Sequence, residues 1–279
     1  MSCSIRSMAL GIMTAGLCFS EMFRAIPVSA QPAPAAVAAA PVPQAIRARG
    51  TLRACIWPEA YAFSWRNPRS DQLEGLGIAL SQGLARRLGL PLRLIETSVA
   101  EFPERLERGE CDVAAIGVGM TTARSARVAY SRPFLSSPIF AVVPRDSWRL
   151  RDWADLDRVG VVIAVNAGSA MERVMRDRLR DAQLLVLHPP EQREQEVLAG
   201  RADAFMSDYP FVLRMQRTRD WAQVLEPPAR FDMTLYALAV PRGDPAWLAE
   251  VDAYLAEARD DGSLARAAEE AGLGAMLLR

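Results

Sequence analysis

Thr121 and Arg124, three residues apart, stand just past a short apolar run, VAAIGV at 113–118. The run reads as a buried strand, and Gly117, Gly119, Thr121 and Thr122 supply the turn that ends it. A guanidinium at such a strand end can donate two parallel hydrogen bonds to one carboxylate, which an ammonium cannot, so the residue type suits capture of a small acid. Asn166-Ala-Gly-Ser169 ends a second strand and opens a helix. Ser169 is placed to cap that helix, and the free N–H groups of its first turn, from Ala170 on, form a site for an anion. Asp208 follows Asp203 by five residues and falls just beyond a third strand, where a carboxylate can pair with an ammonium. Singly, these have ordinary readings as a surface arginine, a helix cap and a turn residue. Together they complement a molecule carrying both carboxylate and ammonium, which describes an α-amino acid. Trp57, Tyr61, Phe63 and Trp65 crowd one further strand-to-helix connection, where one or two rings can pack on a ligand. Selectivity for the ligand side chain falls to residues such as Trp57, Glu59, Tyr61, Phe63 and Asn166.

The elements that must position these groups alternate. Strand-like 51–56 is followed by a helical face at Leu80, Leu84 and Leu88 that Gly89 ends, a strand at 90–95, a helix through Phe102 and Leu106, and the strand at 113–118. The pattern repeats with strand 159–165, helix 171–180, strand 184–187, helix 191–198 and strand 202–206. Gly109-Glu-Cys-Asp112 in the first half has its counterpart in Gly200-Arg-Ala-Asp203. Such β-α-β runs imply parallel sheets, hence two similar α/β lobes. Ligands bind such sheets beyond the carboxyl ends of the strands, which brings 57–65, 117–124, 166–170 and 207–209 to one cleft.

The 33 basic and 33 acidic residues cancel, which gives no electrostatic case for nucleic acid or an anionic membrane and favours a small ligand. Every basic residue is an arginine, and His188 is the only histidine. Schiff-base enzymes, the usual phosphate-loop NTPases and kinases are excluded, and a catalytic triad would have to use His188, a loop residue before two prolines. No cofactor or metal is called for.

Arg6, an apolar segment at 8–19 and the small residues Val28-Ser29-Ala30 read as an export signal over 1–30, too short to span a bilayer, where about 20 residues are needed. An Ala/Pro-rich linker follows at 31–45. The expected location is therefore the periplasm, an oxidising compartment that leaves Cys55 and Cys111 in the mature chain. With Cys55 late in one strand and Cys111 just before a parallel one, they fall at opposite ends of the sheet, beyond the roughly 7 Å between α-carbons that a bridge allows. Pairing is left open, with this geometry weighing against it.

The chain resembles the bacterial extracellular solute-binding proteins of family 3, receptors of ABC importers for polar amino acids. The resemblance rests on L-x-x-G-x-x-D at Leu106 to Asp112, T-x-x-R at Thr121 to Arg124, Tyr130-Ser-Arg-Pro-Phe134, Trp153-Ala-Asp-Leu156, Gly168-Ser169, GRADAFMSD ending at Asp208, and Gly243-Asp-Pro245, in that order. It implies a two-lobed periplasmic-binding-protein fold of type II, each lobe a mostly parallel sheet flanked by helices. Two crossover strands are placed near 142–145 and 238–240, so that 46–143 with 239–279 form lobe 1 and 144–238 lobe 2. It further implies Arg124 as the carboxylate clamp, Ser169 as a second carboxylate contact and Asp208 as the ammonium partner, in a monomer that delivers its ligand to an ABC permease and performs no chemistry. The family often has a hydroxyl where this chain has Gly119, and another where it has Ala170. Two alternatives keep the scaffold: a periplasmic enzyme similar to cyclohexadienyl dehydratases, and an accessory or sensing protein without transport.

Overall fold

A computed structural model describes residues 43–188, 192–228 and 231–278. The expected export signal and most of the Ala/Pro linker lie outside the described residues. Helix α1 (Gln44–Arg49) already occupies the expected end of that linker and anchors itself by burying Ile46.

The first sheet is laid down by β1 (Leu52–Ile56), a small hairpin of β2 (Trp65–Arg66) and β3 (Leu73–Glu74), α2 (Leu76–Leu88), β4 (Leu92–Glu96), α3 (Phe102–Glu107), β5 (Val113–Ala114), α4 (Thr122–Ser125) and β6 (Val128–Tyr130). After the connecting strand β7 (Leu135–Ser137), the chain builds a second sheet from β8 (Phe140–Pro144), β9 (Val162–Asn166), α5 (Ala170–Arg178), β10 (Gln183–Leu187), α6 (Arg193–Leu198), β11 (Ala204–Ser207), α7 (Tyr209–Thr218) and β12 (Ala222–Leu225). It returns through β13 (Thr234–Tyr236) to β14 (Ala239–Pro241), α8 (Pro245–Asp260) and α9 (Ser263–Glu270).

The two sheets have the same plan. Their orders are β4-β1-β5-β14-β6 and β10-β9-β11-β8-β12. In each, three parallel strands are followed by one antiparallel strand, β14 or β8, and by an outer strand, β6 or β12, that pairs antiparallel with it and so runs with the first three. The repeated Gly-x-x-Asp has a common physical role. Gly109 and Gly200 take positive φ, 64° and 71°, to end a helix. The aspartate three residues on then uses its carboxylate to accept the N–H of the neighbouring parallel strand, Asp112 from Arg53 at 2.7 Å and Asp203 from Val162 at 2.8 Å. An arginine closes each carboxylate, Arg49 on Asp112 and Arg149 on Asp203.

Three expectations change. The strand expected at 113–118 keeps only Val113 and Ala114, because Gly117 turns the backbone with φ 65° and the Phe63 ring occupies the place a β-carbon would take. Residues 142–144 are not a crossover but part of β8, a central strand of the second sheet with four consecutive buried residues, and Ala239 and Val240 belong to the first sheet. The paired segments between the sheets are β7 and β13, earlier on the chain. Finally, Cys55 and Cys111 form a disulfide with α-carbons 5.6 Å apart. The opposite-ends placement put Cys111 just before the strand without its register, in which Cys55 pairs with Ala114, three residues from Cys111. Cys111 lies in the turn leaving α3, its N–H directed to the Arg105 carbonyl, and that turn folds it into one buried cluster with Cys55, Phe102 and Leu106.

Candidate functional site

Between the two sheets, beyond the carboxyl ends of their parallel strands, lies a cleft of about 510 Å³. Arg124, Thr121, Gly119, Gly117, Trp57, Tyr61 and Phe63 line it from the first sheet's loops, and Asn166, Ser169, Ala170 and Asp208 from the second's. Glu59 lines it too, so that of the site residues named from the sequence only Trp65 is not among its lining.

On the first side, Thr121 caps α4 by accepting the Arg124 N–H at 3.3 Å. The Arg124 guanidinium folds back on its own turn, donating from Nη1 to the Gly119 carbonyl at 2.8 Å. Burial lowers its pKa from the ordinary arginine value, while the nearby Tyr130 phenol acts in the opposite direction. Among the described residues no carboxylate pairs with it, so a fixed cation retains donors for a ligand. The 57–65 loop is stitched by Ser64, which accepts the Trp57 N–H at 3.1 Å and donates to its carbonyl at 2.9 Å. Tyr61 packs edge-on against Trp65, whereas Phe63 is buried and stacked on Tyr236 with centroids 5.7 Å apart. Trp57 and Tyr61 are therefore the more accessible rings, and Phe63 is mainly a wall.

Gly119 has a specific reason to be small. A β-carbon there would stand 2.2 Å from the Thr234 methyl, contributed by β13, which also lines the cleft. Thr234 thus occupies the room that a side chain at 119 would need. Gly119→Ala is expected to destabilise the protein by about 1–3 kcal/mol through overpacking. Adding Thr234→Ser, which removes only the methyl, restores most of that loss; thermal unfolding of the single and double variants measures it, and no recovery in the double variant refutes the packing account.

On the second side, Ser169 caps α5 by accepting the Glu172 N–H at 3.1 Å, and the Glu172 carboxylate accepts the Gly168 N–H at 2.6 Å. The first-turn N–H groups at Ala170 and Met171 have no intrahelical acceptor and border the cleft. Asp208 stands at the N-terminus of α7 but does not cap it. Its carboxylate instead accepts the Tyr236 hydroxyl at 2.6 Å. Burial, and next the Asp208 charge, push the Tyr236 phenol well above its ordinary pKa, so the proton stays on the tyrosine, which donates it into the hydrogen bond.

The family model of the bacterial extracellular solute-binding proteins, family 3, matches residues 52–272. The chain belongs to this family. This solute-binding protein is 27% identical over 219 residues to the cyclohexadienyl dehydratase of Pseudomonas aeruginosa, covering 77% of this chain and 80% of that one. It is 23% identical over 208 residues to the ABC transporter glutamine-binding protein GlnH of Bacillus subtilis, covering 72% and 73%. Among solved structures it resembles an ancestral amino acid-binding protein described as a precursor of cyclohexadienyl dehydratase, with 26% identity, a TM-score of 0.69, and coverage of 81% of this chain and 97% of that one. Its neighbours are type II periplasmic binding proteins, in keeping with the two-sheet plan. Among the described residues no helix is long and apolar enough to cross a membrane.

The cleft of this solute-binding protein also contains residues that sequence reasoning missed: Gln192, Arg193 and Glu194 at the start of α6, Phe211 and Arg214 on α7, and Thr234. The first three follow β10, whose carboxyl end faces the cleft like those of β9 and β11. The same strand-end rule applied to β10 finds them. Phe211 and Arg214 are one helical turn apart on the face that Asp208 begins, a periodicity that was available.

Proposed function

We propose that this solute-binding protein captures an amino acid, or a similar small zwitterion, between its two lobes for ABC-type import, and catalyses no reaction. The observation that carries the reading is the opposition across one cleft of Arg124 and Asp208, with Ser169 and the α5 N-terminus beside them. Arg124 and the α5 N-terminus hold the carboxylate, and Asp208 holds the ammonium. A ligand touching both lobes stabilises only the state in which they approach, which is how binding drives closure. The division into lobes proposed here follows the sheets, with β7 and β13 as the pivot. Two hydrogen bonds tie that pivot to the site: Tyr236 of β13 donates to Asp208, and the Ser137 hydroxyl of β7 accepts the Tyr209 N–H at 2.9 Å. The closed monomer then presents one surface to a permease in the bacterial membrane.

In a thermal-shift screen against the amino acids, a ligand at a hundred times its dissociation constant is expected to add about 2.7 kcal/mol to stability. No shift and no calorimetric heat with any amino acid refutes the reading. The similarity to a cyclohexadienyl dehydratase, with the Glu59 carboxylate also in the cleft, favours one second reading, an enzyme with Glu59 or Asp208 as general acid. Turnover of prephenate or arogenate by the purified protein decides for it.

A further inference from the structure

Among the described residues, three arginines line the cleft, Arg124, Arg193 and Arg214, and three carboxylates, Glu59, Glu194 and Asp208. They do not cancel locally. Arg214 is paired with Glu194 at 3.4 Å, and Glu59 is exposed to solvent on the 57–65 loop. Two guanidiniums, Arg124 and Arg193, are left with one carboxylate, Asp208. Among the described residues neither guanidinium is in ion-pair contact with any carboxylate.

Arg193 is held as firmly as Arg124. It opens α6 and donates from Nη1 to the Met206 carbonyl at 2.6 Å. Its guanidinium carbon lies 5.3 Å from the Phe205 ring centroid and 4.8 Å from that of Phe211. Stacking fixes the plane of the fork while leaving further N–H donors unassigned, so a carboxylate meeting it would have little ordering to impose. Burial lowers the pKa of Arg193, and Glu194 and Asp208, near enough to act through space, partly offset this.

We propose that the ligand carries a second carboxylate, bound by Arg193, so that the cleft selects an acidic amino acid over its neutral isostere and over cationic amino acids. The inference rests on the amino-acid reading above and extends it by charge balance. A neutral zwitterion satisfies Arg124 and Asp208 and leaves Arg193 with no carboxylate in ion-pair contact among the described residues. A cationic side chain adds to the excess. A side-chain carboxylate removes it, and Arg193 is the cation in the cleft with neither a protein carboxylate nor the ligand's α-carboxylate already assigned to it.

Titration calorimetry of the purified protein with L-glutamate, L-aspartate, L-glutamine, L-lysine and glutarate tests this. Glutamate or aspartate is expected to bind at least about tenfold tighter than glutamine, the usual scale of one charge-assisted contact. In Arg193→Gln the ratio is expected to fall towards one, and Arg193→Lys to recover part of it. Glutamine or lysine binding as tightly as glutamate overturns the second carboxylate and leaves amino-acid capture standing. Glutarate binding with no amino acid bound keeps the second carboxylate and overturns the ammonium role of Asp208. No heat with any of the five overturns the second carboxylate, and amino-acid capture falls with it only where the screen against all the amino acids is also silent. The comparison of glutamate with glutamine needs no variant, so it decides even where Arg193→Gln fails to fold.

Discussion

Arg124→Ala is expected to weaken binding of the cleft ligand by roughly 30- to 4,000-fold, the consequence of removing one partner of an enclosed charge pair at about 2–5 kcal/mol. The size follows from what stays behind. Without the guanidinium, the ligand carboxylate keeps the Ser169 hydroxyl and the α5 N–H groups but loses its bidentate partner. Arg124→Lys is expected to recover only part of the loss, since an ammonium supplies charge without the planar fork. The unliganded protein should behave differently. Arg124 has no carboxylate partner among the described residues, and its side chain holds only the Gly119 carbonyl, so unliganded Arg124→Ala is expected to be as stable as the parent or slightly more so. Calorimetry beside thermal unfolding separates the cases. Unchanged affinity in both Arg124→Ala and Asp208→Ala refutes the amino-acid clamp, and a large loss of stability in the unliganded form would show that Arg124 is a structural residue.

Much of this arrangement was legible because strand ends announce themselves locally. Gly89 and Gly200 mark helix ends through left-handed backbone, Ser169 and Thr121 are capping hydroxyls, and Asp208 follows the apolar run of β11. Each depends on a few neighbouring residues, and the rule that parallel strands point their carboxyl ends at one cleft does the rest. What failed depended on contacts distant in sequence. The crossover was misplaced because β8 is as apolar as a connecting strand, and only its pairing with β11 and β12 identifies it. Gly119 reads as a missing hydroxyl in the sequence because the residue that fills its space, Thr234, stands more than a hundred residues later. The disulfide failed for the same kind of reason, since a turn of unknown direction separates Cys111 from the strand it precedes.

That disulfide carries the second large expectation. Its cysteines are 56 residues apart, and the loop-closure entropy removed from an unfolded chain by a bridge of that span is about 4 kcal/mol. The double variant Cys55→Ser, Cys111→Ser is therefore expected to unfold roughly 8–16 °C lower than the oxidised parent, at about 2–4 °C per kcal/mol for a chain of this size. Both sulfurs sit in a fully buried apolar cluster with Phe102, Leu106 and Ala114, so reductant should act only once the protein opens. The bridge also bears on the cleft. Cys55 lies two residues before Trp57, and Cys111 opens the segment that runs through β5 to Gly117 and Arg124. One covalent bond thus braces the bases of both first-lobe loops that reach the ligand. Loss of the bridge is expected to weaken ligand binding in addition to lowering stability, because closure must then order loops that the oxidised protein holds in place. Equal unfolding midpoints for oxidised parent and double variant would refute the stabilising role. A lowered midpoint with unchanged affinity would confine the bridge to the folding of the first lobe.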